Sequence, residues 1–132
     1  QVSTQHSPVM NPYIMRARHY IRQFGSHGVK AAQIAEHVGC SRATLDMHFM
    51  RTVGNTLHDE LLKFRLERSK SLLSQTDLSY CEVALQSGFT TLQYMYAVYR
   101  REMGCTPVDY RRKGDIIGNE DIAAWLKSAV AR

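Results

Sequence analysis

The sequence predicts an all-α fold of about seven helices: two helix-turn-helix subdomains joined by a long linking helix, plus a short C-terminal helix. Three observations carry this expectation. Apolar residues recur at three-to-four spacing along the chain. One segment, built as a short helix, a glycine turn and a second helix, is restated later in the chain. A helical stretch of some 18 residues, Thr56 to Leu73, separates the two copies. A length of 132 residues suits one ordinary domain or two very small ones, and 44% hydrophobic residues suits a packed core.

Residues 1–10 are polar and read as a linker. The first unit, residues 11–55, opens with Asn11 as an N-cap and Pro12 in the first turn, and Gly25 is expected to stop that helix. Ile14, Ala17, Tyr20, Ile21 and Phe24 form its apolar stripe, with Arg16, Arg18 and Arg22 mostly opposite. Ala31 to Val38 is a short second helix, and Gly39 permits a left-handed turn. Ser41 then caps a third helix with Leu45 and Phe49 facing inward, ended by Gly54. Two short helices around a tight glycine turn are a helix-turn-helix pattern. The linking helix, within residues 56–75, buries Leu57, Leu61, Phe64 and Leu72. The polar run "SQTDLS" follows.

The second unit, residues 76–113, repeats the first. Ile34, Ala35 and Gly39 correspond to Val83, Ala84 and Gly88, displaced by 49 positions. Leu45, Phe49, Arg51, Gly54 and Thr56 correspond to Met95, Tyr99, Arg101, Gly104 and Thr106, displaced by 50, so the second turn holds one extra residue. Tyr99 is therefore expected in the core. Thr106 and Pro107 start a short closing helix, "TPVDYRR". In the tail, residues 114–132, Asn119 caps an expected amphipathic helix bearing Ile122, Trp125, Leu126 and Ala129.

Composition narrows the function. The net charge is +5, and the tail from Gly114 carries a net negative charge, so the positive charge lies in residues 1–113. This favours a polyanionic partner. Cys40, Cys81 and Cys105 lie far apart, as in a reduced compartment. No apolar run reaches the roughly 20 residues of a membrane span, and no signal peptide is visible. The chain lacks an initiator Met and reads as a fragment of a larger protein or a processed product, with a sensing part expected elsewhere. His37 and Cys40 make one H-x-x-C pair with no second pair nearby, so no metal site is expected. No phosphate loop, nucleophile elbow or HExxH occurs, so neither an enzyme nor a cofactor is expected.

The repeat has a geometric meaning on duplex DNA, which presents the same groove about every 34 Å. A helix of 18 residues is about 27 Å long, and adding half a unit at each end gives roughly 30–35 Å between the two second helices. They are expected in successive major grooves on one face. The alternative is a basic helical module that meets an acidic protein, which accounts for the charge but not for the repeated turn glycines.

The paired units, the long helix and the ending "GF…LQYMYAVYRREMGCTPVDYRR" resemble the DNA-binding domain of AraC/XylS-family transcription regulators over about Asn11 to Lys113. The run "LQYMYAVYR" looks most like the xylose-operon regulators of that family. The resemblance implies base contacts from Ala43, Asp46 and Met47 in the first unit and from Leu92, Gln93, Tyr96 and Ala97 in the second. Gln93 suits adenine, Asp46 suits cytosine N4, and Ala43, Met47 and Leu92 suit thymine methyls. Many members carry an Arg where Met47 or Ala97 stands, which leaves a share of specificity to DNA shape. Phosphate contacts are expected from Arg42, Thr44, Thr90, Thr91, Arg100 and Arg101, with Arg51 and Arg111 bracing the units through ion pairs. The implied partners are double-stranded promoter DNA, RNA polymerase and an effector-binding domain outside this chain, in the bacterial cytoplasm at the nucleoid.

Overall fold

The computed structural model describes residues 11–117, with side chains to Lys113. The expected linker and the tail helix capped by Asn119 lie outside the described residues. Among the described residues seven α-helices follow in order: α1 Pro12–Phe24, α2 Ala31–Val38, α3 Arg42–Thr52, α4 Leu57–Gln75, α5 Tyr80–Ser87, α6 Leu92–Met103 and α7 Pro107–Ile117. The chain divides into two compact units, and the division falls inside α4, between Phe64 and Arg65.

In the first unit the Asn11 side chain accepts the amides of Tyr13 and Ile14, satisfying donors that α1 leaves free at its start. Ile14, Ala17 and Ile21 from α1 meet Ile34, Ala35 and Val38 from α2, Leu45 and Phe49 from α3, and Leu57 and Leu61 from α4. Arg18 donates to Glu60 at 2.7 Å, tying α1 to α4 beside this core. Two details of the sequence reading change. Phe24 is 39% exposed, at the rim of the stripe, and tilts against Tyr20 instead of entering the core. Gly25 does not stop the chain by its conformation: it is right-handed, and the left-handed residue is Gly28. Gly25 is needed for space, since a Cβ there would lie 2.8 Å from the Phe64 ring.

In the second unit Val83 and Ala84 of α5, Met95, Val98, Tyr99 and Met103 of α6 and Tyr110 of α7 are buried, and the Tyr99 and Tyr110 rings meet edge-on. Tyr99 is fully buried as expected, and its hydroxyl lies 2.6 Å from Ser69 Oγ. Ser69 Oγ donates to the Leu66 carbonyl, so the Tyr99 hydroxyl is the donor to Ser69. In the part of α4 that belongs to this unit Leu73 is buried, and Leu72 is only half-buried. Arg111 makes no ion pair among the described residues. It donates to the carbonyls of Leu73 and Thr76, closing the C-terminal end of α4, and its guanidinium lies 4.9 Å from the Tyr80 ring centre. Arg51 is exposed and also forms no ion pair among the described residues. The closing helix α7 runs to Ile117, longer than "TPVDYRR".

Candidate nucleic-acid interface

Each unit presents one helix outward after a tight turn. In the first, α2 ends at Gly39 with φ +94°, a left-handed conformation that a residue with a Cβ adopts only under strain. Two residues later Ser41 caps α3, its Oγ accepting the Thr44 amide at 3.1 Å. In the second, α5 ends at Gly88 with φ +96°, and Thr91 caps α6 by accepting the Tyr94 amide at 3.0 Å. The extra residue of this turn gives space to Phe89, which is buried and packs edge-on to Tyr94.

Both outward helices also end alike. Gly54 and Gly104 are left-handed. Thr56 and Asp59 then cap each other's amides at 3.1 and 3.2 Å, and Thr106 and Asp109 repeat those bonds. These are reciprocal capping boxes with Asp in the third position.

On α3, Leu45 and Phe49 turn inward, leaving Ala43, Met47, Met50 and Arg51 exposed on the far side. Met47 and Met50 are 41% and 51% exposed. Asp46 sits to one side and is half-buried. Its carboxylate accepts the Leu57 amide at 2.9 Å, at the start of α4, and lies 3.7 Å from Arg42 Nε. The carboxylate thereby complements the N-terminal end of α4. Thr44 Oγ1 accepts from Ser41 Oγ at 2.9 Å.

On α6, Gln93, Ala97 and Arg100 are exposed, and Leu92 and Tyr96 are half-buried at their edge. These five line one shallow depression of about 440 Å³. Burial raises the Tyr96 phenol above its ordinary pKa, so it stays protonated and offers an O–H. Thr90 and Thr91 are exposed ahead of the helix, and Arg101 pairs with Glu102 at 3.0 Å. Arg100 has no ion pair among the described residues.

The structure thus gathers Leu92, Gln93, Tyr96, Ala97 and Arg100 on one face of α6, and Ala43 with Met47 on one face of α3. It sets Asp46 aside from that face. Met50 escaped the sequence reading, although it stands seven residues after Ala43 and so shares its face at helical spacing. His48 also escaped. It stacks on Tyr13, 35 positions earlier, a contact that no local pattern announces. His37, considered with Cys40 for metal, lies with its ring 4.3 Å from that of Tyr20. Among the described residues no three metal-binding side chains gather, and no helix is long and apolar enough to cross a membrane.

Two helix-turn-helix pairs, each with an exposed second helix beside unpaired basic side chains, define a class: a double helix-turn-helix domain that binds DNA. A family model described as a helix-turn-helix domain matches residues 34–113. The xylose operon regulatory protein of Escherichia coli K12 is 37% identical over 109 residues, covering 83% of this chain and 28% of that protein. A solved xylose-binding transcription activator superposes with a TM-score of 0.66 at 37% identity, covering 77% of this chain and 27% of the other. An AraC-type DNA-binding regulator from Chromobacterium violaceum gives 0.72 at 25% identity, covering 89% of this chain and all of that one. The chain belongs to the AraC-type helix-turn-helix domains. It is a DNA-binding module, and this decides against the acidic-protein reading. It spans 28% of the length of the curated relatives it matches.

Proposed function

We propose that this chain is the DNA-binding part of a longer bacterial transcription regulator, with α3 and α6 entering successive major grooves of promoter DNA. The observation that carries the reading is the duplicated pair of outward helices, each fixed at both ends by the same local caps. Gln93 is the principal base reader, through a bidentate contact to adenine. Ala43, Met47, Leu92 and Ala97 offer apolar contact to thymine methyls, and Tyr96 offers its hydroxyl at the groove edge. Arg42, Thr44, Thr90, Thr91, Arg100 and Arg101 hold phosphates. Asp46 acts through the placement of α3, because its carboxylate is engaged by the Leu57 amide.

The domain boundaries proposed from sequence are retained: a linker before residue 11, the double unit over 11–113, and a tail after it. The remainder of the protein is proposed to carry an effector site. The relatives named for a xylose operon and for xylose binding support a sugar, specifically a pentose, as that effector. The proposed action is activation through RNA polymerase, in the cytoplasm at the nucleoid.

Selection from a random duplex pool tests this reading. One enriched site of two blocks about 10 base pairs apart is expected. Its affinity should fall steeply with salt, as several phosphate contacts require. An unenriched pool overturns the reading.

A further inference from the structure

Beside α3 lies a cluster that the base-reading face does not use. Asn11 Oδ1 is held by the amides of Tyr13 and Ile14, so its Nδ2 must point away as a donor. That Nδ2 lies 3.3 Å from His48 Nδ1. Nδ1 is therefore the acceptor, and the neutral imidazole carries its proton on Nε2. No described residue bonds Nε2. His48 is only half-buried, which leaves this edge of the ring accessible among the described residues. The ring itself is fixed by stacking on Tyr13, with centroids 4.7 Å apart and planes 18° apart.

Arg16 completes the arrangement. Its guanidinium lies 5.5 Å from the Tyr13 ring centre, and one nitrogen donates to the Val38 carbonyl at 3.3 Å, at the turn before α3. The remaining N–H groups of this exposed side chain have no partner among the described residues. Arg16 also borders a hollow of about 490 Å³ with Arg18, His19, Arg22 and His37, and none of the described lining residues is acidic. On α3, His48 shares a side row with Thr44 and Arg51, four residues before it and three after. This row runs beside the Ala43–Met47–Met50 face.

We propose that His48 and Arg16 form a preset phosphate clamp along the edge of α3. Nε2–H and the guanidinium donate to the DNA backbone at the rim of the groove that α3 enters. The proposal rests on the DNA-binding reading above. It supplies the first unit with polar contacts that its apolar outward face lacks. The second unit has no equivalent, because the position matching His48 is Val98, which is fully buried.

Duplex binding of the wild type, His48→Phe, His48→Gln and Arg16→Met across a salt series tests the clamp. Phe keeps a ring against Tyr13 and removes the donor, and Gln guards against misfolding of that variant. Arg16→Met should lower the slope of log K against log salt by about 1, while the His48 variants, which change a neutral donor, should weaken binding with the slope nearly unchanged, each with an equal fold-loss on the preferred and on random duplex. Imidazole nitrogen shifts of the free protein should report a proton on Nε2 of His48. An unchanged slope in Arg16→Met, or unchanged affinity in His48→Phe, with the variants folded, overturns the clamp and leaves the function standing. A loss confined to the preferred site overturns it in favour of base reading by His48, and a proton on Nδ1 removes its preset donor. If the wild type itself shows no salt-dependent duplex binding, the function falls and the clamp with it.

Discussion

Position by position, α3 and α6 correspond at a displacement of 50, and their two sides behave differently. Inside, Leu45 answers to Met95 and Phe49 to Tyr99, and all four are fully buried. The caps Ser41 and Thr91 are chemically alike. Outside, Ala43 answers to Gln93, Met47 to Ala97 and Met50 to Arg100, while Arg51 and Arg101 agree. The inner face is held by packing, where volume and shape limit the choice. The outer face is not packed against other described residues, and it is apolar in one unit and polar in the other. The proposed function therefore expects α6 to carry more of the sequence reading than α3.

The largest expected effect breaks the shared inner side. Phe49→Ala should destabilise the protein by about 3–5 kcal/mol, measured by urea unfolding. A small loss would show that α3 is not anchored as α6 is. The next effect concerns the outer side. Gln93→Ala should cost about 1–3 kcal/mol of affinity for the preferred site, and Met47→Ala should cost less in the same titration. The reverse order would make α3 the reading helix. Asp46→Ala should lower stability by about 1 kcal/mol through the lost cap on α4, with the preferred DNA sequence unchanged. A shifted preference in binding-site selection would make Asp46 a reader.

Tyr99→Phe should cost about 1 kcal/mol, because the only bond lost is the one donated to Ser69. Phe49 makes no such bond, so this stabilisation belongs to the second unit alone, and a melt of the variant identical to wild type would remove the distinction. The last effect is alkaline. Burial pushes the Cys105 thiol up from 9.0 to about 11, with the Asp109 charge adding to it. The folded state holds this proton more tightly than the unfolded state. Its contribution is therefore complete below pH 9 and lost as pH rises toward 11. Cys105→Ala should flatten stability across that window, and an unaltered pH profile would dismiss the thiol as a contributor.

Much of this was legible in the sequence because helix ends are written locally. Asn11, Ser41, Gly39, Gly88 and Thr106 each announced a boundary that the structure keeps. The repeat placed Tyr99 in the core although its residue type argued for the surface. What stayed hidden depends on contacts between distant positions. Gly25 looked like a stop signal, but the reason for a glycine there is the Phe64 ring, 39 residues on. Asp46 had the right type and spacing for a base contact, and only the fold shows the Leu57 amide beside it. Arg111 was expected to find an acid and instead found two carbonyls at a helix end. The Asn11–His48 contact joins two residues whose individual patterns gave no hint of each other.

The matched endings of α3 and α6 bear on how such a domain changes over time. A left-handed glycine followed by a threonine–aspartate box sets where each outward helix stops and the next begins, using only residues within a few positions of one another. None of these residues lies on the outward face. The face can therefore be exchanged residue by residue while the helix keeps its length and its frame. Recognition and folding are inherited on separate sets of positions, and a lineage can acquire a new operator without having to solve its fold again.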